Sequence, residues 1–144
     1  VAPVGKVYQA GTLSGNPIAM AAGLTQLKIL YEYPEIYDHL VQSGERLYGG
    51  IEKLIIRYEL PLRINHVESL GCLFFTEEKV EDYESAKKAD TGAFSRYFTY
   101  MLNHGVHLAP SQFEAMFLSD VHTNEDIDTT LELAEKFFRQ RESL

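Results

Sequence analysis

The chain has 144 residues, of which 45% are hydrophobic, so it is long enough to form one domain with a sizeable core. Its formal net charge of -8 argues against a nucleic-acid or anionic-membrane surface, because binding to either requires a basic face. The longest apolar stretch, residues 17–31, is interrupted by Thr25, Gln26 and Lys28, so the sequence predicts no transmembrane helix.

The first predicted element is a helix that begins at the end of the segment YQAGTLSGNP, residues 8–17. Asn16 is a suitable N-cap, and Pro17 fits the first helical turn, where a missing N–H group costs nothing. An apolar stripe at helical spacing lies beside a strip of small residues that would let another backbone approach closely. The stripe consists of Met20, Leu24, Leu27 and Tyr31, and the strip of Ala19, Ala22 and Gly23. Pro34 predicts the end of this helix.

A second helix is predicted over residues 34–58, although the adjacent Gly49 and Gly50 in its interior weaken the helical propensity. Two strands follow, residues 63–69 and 71–76, because both segments are rich in β-branched and aromatic residues. Their separation is predicted at Gly71. Cys72 in the second strand has no partner for an intramolecular disulfide and is predicted to be a small buried core residue.

The charged stretch over residues 77–92 is predicted to be a solvated loop. It leads to a helix over residues 93–105, which Gly105 caps at its C-terminal end. Two further strands are predicted, residues 106–110 and 113–119, on either side of a Pro-Ser turn.

The last predicted helix covers residues 124–142 and begins with a capping box formed by Thr123 and Asp126. Long helices therefore precede and follow a small antiparallel sheet. The predicted fold class is α/β, in the form of a small α+β domain whose antiparallel sheet is covered by helices on one face.

The segment YQAGTLSGNP is also a candidate phosphate site, because it brings backbone donors to the head of a helix. It is not a P-loop, since Gly15 is followed by Asn-Pro instead of a lysine and a hydroxyl residue. The N–H groups of Gly11 and Thr12 and the Thr12 hydroxyl could bind a phosphate, aided by the helix dipole. An ordinary helix-capping loop is the alternative.

The sequence predicts neither a metal site nor a serine hydrolase site. His104 and His107 flank Gly105 and are not expected to share a helical face, and no cysteine cluster accompanies them or His122. The G-x-S-x-G motif of serine hydrolases does not occur.

Glu114 is a second candidate site residue, because it interrupts an otherwise apolar predicted strand directly after the Pro-Ser turn. If that strand is buried, a lone carboxylate must be paired, neutralised or used at a site. A solvated or strand-edge glutamate is the alternative.

Two segments, residues 8–23 and 108–128, together resemble the glutamate-1-semialdehyde 2,1-aminomutases, a pyridoxal-phosphate family among the class-III aminotransferases. The pattern G-T-x-x-G-N-P is shared by class-III aminotransferases generally, whereas Leu13 and Ser14, joined to P-S-x-F-E-A-x-F-x-S over residues 110–119, resemble the aminomutases more narrowly. The resemblance covers essentially the whole chain, matched to about the last third of such an enzyme. It implies the C-terminal part of a fold-type I pyridoxal-phosphate-dependent transferase.

The resemblance also implies roles for individual residues. The family residue matching Thr12 binds the cofactor phosphate across the dimer interface by its hydroxyl and N–H groups, with Gly11 beside it. Tyr8 is expected to reach the same neighbouring active site, and Glu114 to project toward the substrate. The implied reaction converts glutamate-1-semialdehyde to 5-aminolevulinate for tetrapyrrole (porphyrin) synthesis.

No catalytic residue is expected in this chain, because the Schiff-base lysine of the family belongs to an upstream segment and Lys6 lies where the family has no catalytic lysine. We therefore expect a C-terminal fragment that is inactive alone, with residues 1–31 ending the large domain and residues 32–144 forming the small one. The parent is expected to be a cytoplasmic homodimer. The alternatives are another class-III aminotransferase, acting on a β-amino acid or ω-amine, and a non-catalytic dimerisation module.

Overall fold

The computed structural model describes residues 2–8 and 10–140. The chain forms two compact units, Val1–Ile36 and Tyr37–Leu144. Their division falls in the first turn of a helix, whereas the sequence predicted a domain boundary after Tyr31. Within residues 2–8 and 10–140, every helix is too short or too polar to span a lipid bilayer.

The first unit contains helix α1, Pro17–Glu32. The predicted N-cap is confirmed, because the side-chain oxygen of Asn16 accepts hydrogen bonds from the N–H groups of Ile18 at 3.0 Å and Ala19 at 3.1 Å. No residue of α1 is buried, and the apolar stripe predicted from its spacing is exposed. The apolar side chains of this helix are therefore not part of a buried core within the first unit.

Helix α2, Glu35–Tyr58, runs unbroken through its glycines. A Cβ atom on Gly44 would lie 1.9 Å from the carbonyl oxygen of Glu68, and one on Gly50 would lie 2.7 Å from methyl carbons of Leu131. Glycine is required at position 44, because the backbone of Glu68 packs directly against the helix, whereas at position 50 a Cβ would have to displace the flexible Leu131 side chain. Close packing thus offsets the low helical propensity of these residues.

The sheet is antiparallel, with strands β1, Arg63–Val67, β2, Leu70–Phe74, and β3, Met116–Phe117, in the order β1-β2-β3. The predicted separation of the first two strands at Gly71 is wrong. The turn lies at Glu68, whose φ is +51°, and Gly71 pairs with His66 inside the ladder. Gly71 is needed there because its Cβ would lie 2.4 Å from the ring of Tyr48.

Three further helices are α3, Tyr83–Ala86, α4, Thr91–Asn103, and α5, Asn124–Arg139. The prediction of a solvated loop before α4 is partly wrong. Val80, Ala86 and Ala89 are buried in a small cluster with Phe74, because these apolar residues recur among the charged ones. The charged residues of the stretch lie outside that cluster.

The predicted caps of the last two helices are confirmed. Gly105 has a φ of +90° after α4, and the N–H of Val106 donates to the Met101 carbonyl at 2.9 Å, as in a Schellman motif. Thr123 and Asp126 form the capping box of α5. Helix α5 ends at Arg139, and residues 141–142 of the predicted helix lie outside the described residues.

The core lies between the sheet and three long helices, α2, α4 and α5. Leu73 points toward this core, together with Phe75 directly after β2, whereas Phe74 points to the opposite face and its small cluster. The predicted small α+β domain, with its long helices on one face of an antiparallel sheet, is confirmed. Cys72 is half-buried and packs against the small cluster, so its prediction as a small buried core residue is confirmed only in part.

Candidate functional site

Residues 11–16 form a compact turn in the first unit. The N–H of Ser14 donates to the Gly11 carbonyl at 3.1 Å, and the N–H of Asn16 donates to the Leu13 carbonyl at 3.0 Å. Gly15 has a φ of +76°, a conformation that side-chain-bearing residues rarely adopt. The glycine and the two hydrogen bonds explain why the chain folds back here before α1 begins.

The donors at the start of α1 are already engaged by Asn16. Its side chain accepts from Ile18 and Ala19, its carbonyl accepts from the N–H of Met20 at 2.9 Å, and Pro17 has no N–H group. A phosphate at this loop would therefore depend on donors in the turn itself. The helix adds the field of its dipole, without free first-turn donors.

Thr12 is the turn residue that best fits a phosphate. It is exposed beside Gly11, and no hydrogen bond within the described residues engages its hydroxyl or its N–H group. Two neighbouring donors on one residue match the acceptor oxygens of a phosphate. Tyr8 belongs to the same unit and is 82% exposed, so its phenol is also accessible.

Glu114 lies in a turn of the second unit and not in a strand, so that prediction is wrong. Its N–H donates to the Ser111 carbonyl at 3.0 Å, and the Ser111 hydroxyl accepts from the N–H of Phe113 at 3.2 Å. These bonds turn the chain after Pro110. Residues 106–110 form no ladder, and β3 is limited to two residues. The carboxylate of Glu114 is consequently exposed and free of the cost of burial.

The turn of residues 111–114 contacts β2 through a side chain that the sequence did not single out for this role. The Cys72 thiol donates to the Gln112 carbonyl with an Sγ to oxygen distance of 3.1 Å. Burial raises the pKa of this thiol, which keeps it protonated and able to donate. Gln112 is only 2% exposed, and its amide group has no hydrogen-bond partner within the described residues.

His104 and His122 have local hydrogen-bond partners. Nδ1 of His104 lies 2.8 Å from the Tyr100 carbonyl, and Nδ1 of His122 accepts from the N–H of Ser119 at 2.9 Å. No group of three or more His, Cys, Asp or Glu side chains that could bind a metal occurs in the part of the chain that the structure describes.

A cavity of about 620 Å³ opens in the second unit beside the first turns of α5. Its walls are mostly apolar, and the side chains of His104, His107 and His122 also line it. Glu114 is not among the lining residues, although Pro110 and Ala115 from the same segment are.

No protein-family model matches the chain. The chain is 58% identical over 137 residues to glutamate-1-semialdehyde 2,1-aminomutase 1 of Lachnoclostridium phytofermentans, covering 95% of this chain and 32% of the relative. It is 54% identical over 144 residues to the glutamate-1-semialdehyde 2,1-aminomutase of Ruminiclostridium cellulolyticum, covering 100% of this chain and 33% of the relative. The chain thus spans about a third of the length of the curated relatives it matches.

Solved structures of pyridoxal-phosphate enzymes share the fold. A β-phenylalanine aminotransferase from Variovorax paradoxus superposes with a TM-score of 0.79 at 25% identity, covering 100% of this chain and 33% of that chain. A glutamate-1-semialdehyde aminomutase from Pseudomonas aeruginosa superposes with a TM-score of 0.64 at 20% identity, covering 71% of this chain and 22% of that chain. The chain therefore has the fold of about a fifth to a third of each of these two enzymes.

Proposed function

We propose that this chain, which is homologous to the glutamate-1-semialdehyde 2,1-aminomutases along nearly its whole length, is the C-terminal portion of an enzyme with that activity. The full-length enzyme, here called the parent enzyme, would convert glutamate-1-semialdehyde to 5-aminolevulinate for porphyrin synthesis. The observation that carries this proposal is the identity of 54% to 58% with curated aminomutases over 95% to 100% of the chain.

Thr12 is proposed to bind the phosphate of pyridoxal 5'-phosphate through its hydroxyl and N–H groups, with Gly11 beside it. The exposure of Thr12 and the absence of any partner for these two groups within the described residues support this role. When bound, the cofactor supplies an electron sink for moving the amino group. In a homodimer, Thr12 would contact the cofactor of the neighbouring subunit.

Glu114 and Tyr8 are proposed to act on the substrate side. The Glu114 carboxylate is exposed and, when ionised, can only accept hydrogen bonds, so it would orient the substrate's ammonium group in preference to its carboxylate. The Tyr8 phenol is exposed and can donate a hydrogen bond to an anionic group.

The remainder of the parent enzyme would supply the Schiff-base lysine, so the chain alone is expected to be inactive. We place the parent enzyme in the cytoplasm as a homodimer, consistent with a phosphate ligand donated across a subunit interface. Residues up to about Tyr31 would end its large domain, and the residues that follow would form its small domain.

A second candidate is an aminotransferase that acts on a β-amino acid. Its support is the superposition of the whole chain on the β-phenylalanine aminotransferase with a TM-score of 0.79, whereas the TM-score of 0.64 with the aminomutase comes from 71% of the chain. Fold likeness at 25% identity or below does not identify a substrate, whereas sequence identity above 50% links the chain to the aminomutases.

Assays of the parent enzyme with two alternative sets of substrates separate the two candidates. With glutamate-1-semialdehyde, the proposal predicts 5-aminolevulinate without any added amino acceptor. With a β-amino acid and pyruvate, it predicts little alanine. Rapid alanine formation without 5-aminolevulinate would support the aminotransferase instead.

A further inference from the structure

We propose that Cys72 is a positioning residue for Glu114, because its thiol binds the turn of residues 111–114 to the sheet. This inference rests on the substrate-side role proposed for Glu114. The thiol acts here as a hydrogen-bond donor to a backbone carbonyl, and its proposed effect on the substrate passes through Glu114.

The contact lies where the pairing of β2 and β3 ends. Leu70 pairs with Phe117 and Gly71 pairs with Met116, so the next residue of β2 is Cys72, opposite the chain that leaves the turn. Its Sγ lies 3.1 Å from the Gln112 carbonyl oxygen and 3.9 Å from the Glu114 carbonyl oxygen. The hydrogen bond from the Cys72 thiol therefore joins β2 to the turn at the first position beyond the paired residues of β2 and β3.

Few other polar contacts fix this turn to the sheet. Its remaining hydrogen bonds, from the N–H groups of Phe113 and Glu114 to Ser111, are internal to the turn. The Gln112 side chain is buried without a hydrogen-bond partner within the described residues, so it does not secure the turn by such a bond. Loss of the Cys72 donor would leave the buried Gln112 carbonyl without this contact and loosen the backbone that carries Glu114.

Substitutions at Cys72 separate its donor function from its volume. Serine keeps a hydroxyl donor at nearly the same place, whereas alanine removes the donor and one atom of packing. Val80→Ala is the matched control, because Val80 belongs to the small apolar cluster against which Cys72 packs, and its side chain donates no hydrogen bond.

Hydrogen–deuterium exchange of the 144-residue chain tests the contact itself. The N–H of Glu114 donates to the Ser111 carbonyl, so its exchange rate reports whether the turn is formed. We expect Cys72→Ala to raise this exchange rate about five-fold, which corresponds to the loss of one neutral hydrogen bond. The exchange rate of Cys72→Ser should stay close to that of the unsubstituted chain. A rate that Cys72→Ala leaves unchanged, or that Val80→Ala raises equally, would overturn the proposal.

Kinetics of the cofactor-loaded parent enzyme test the consequence for Glu114. We expect Cys72→Ala to raise KM for glutamate-1-semialdehyde about five-fold with little change in kcat, because substrate orientation is lost while the reacting groups remain. Cys72→Ser should restore KM. An active enzyme with equal KM in the alanine variant and the unsubstituted form would overturn the role of Cys72 alone. An unsubstituted parent enzyme without aminomutase activity would overturn the proposed function, and the role of Glu114 with it.

Discussion

Thr12 and Asn16 lie in the same turn, but they differ in which hydrogen-bonding groups have no partner within the described residues and could therefore bind a ligand. Asn16 satisfies the first-turn donors of α1, whereas the hydroxyl and N–H of Thr12 are unengaged within the described residues. The sequence alone predicted both a cap and a phosphate site, because both uses require the same kinds of donor. The structure assigns the helix donors to Asn16, and Thr12 remains the residue for the phosphate proposal.

Substitution of Thr12 in the parent enzyme tests that assignment. Thr12→Val removes a hydroxyl donor to a charged phosphate, and we expect it to weaken cofactor binding by about 1.5 to 3 kcal/mol. Thr12→Ser keeps the hydroxyl and serves as the control. Cofactor occupancy after dialysis, read from absorbance, measures the effect, and equal occupancy in the valine and serine variants would contradict the role.

Tyr48 offers a residue-scale test of the fold that needs only the chain. Its side chain is fully buried, and its hydroxyl lies 3.1 Å from the Ser69 carbonyl and 3.2 Å from the Met116 carbonyl. Tyr48→Phe should lower the free energy of unfolding by about 1 to 2 kcal/mol, because buried carbonyls lose a donor. Tyr37→Phe, on the same helix at a 51% exposed position, should change it little. Urea denaturation that finds equal stabilities for the two variants would count against this contact.

The same hydroxyl predicts a pH dependence. Burial, followed by the nearby Cys72, raises the pKa of Tyr48 from 10.0 to about 12. Between these two values the unfolded chain has lost the Tyr48 proton and the folded chain still holds it. The stability that this difference contributes is therefore complete below pH 10 and is lost as the pH rises through about 12. Stability of the unsubstituted chain should therefore fall more steeply over this interval than that of Tyr48→Phe. Parallel pH profiles for the two proteins would contradict the prediction.

At the scale of elements, local signals predicted the helices well and the strands less well. Caps such as Asn16 and Thr123 lie next to the backbone groups that they satisfy, so sequence spacing is sufficient to find them. A strand forms only where a neighbouring strand pairs with it. Residues 106–110 have the composition of a strand, but no other segment pairs with them among the described residues. The sequence also gives no reason for glycine at positions 44 and 71. Only the fold places Glu68 against Gly44 and Tyr48 against Gly71.

Two glycines of α2 give a matched test at this scale. A Cβ on Gly44 would meet a backbone oxygen at 1.9 Å, whereas one on Gly49 would meet nothing within 4 Å. Gly44→Ala should lower the free energy of unfolding by about 1 to 3 kcal/mol through overpacking. Gly49→Ala should raise it by about 0.5 to 1 kcal/mol through helical propensity. Thermal denaturation that gives both variants a shift of the same sign would contradict the packing described for α2.

At the scale of the whole molecule, the candidate site residues are divided between two units. Gly11 and Thr12 share a turn of the first unit, and Glu114 lies in the second. The motifs around these residues were sufficient to identify the related family, because each motif combines several residue types at fixed spacing. The exposure of Glu114 was not predictable, since it depends on a turn that Ser111 forms and on a strand that ends early. The fold alone would not have distinguished an aminomutase from an aminotransferase, because solved structures of both share it.

The most direct measurement is the formation of 5-aminolevulinate from glutamate-1-semialdehyde by the parent enzyme, compared with the 144-residue chain alone under the same conditions. We predict product from the cofactor-loaded parent enzyme and none from the chain. A parent enzyme that binds the cofactor but forms no 5-aminolevulinate would contradict the proposed activity, and product formed by the chain alone would contradict the proposal that the lysine lies outside it.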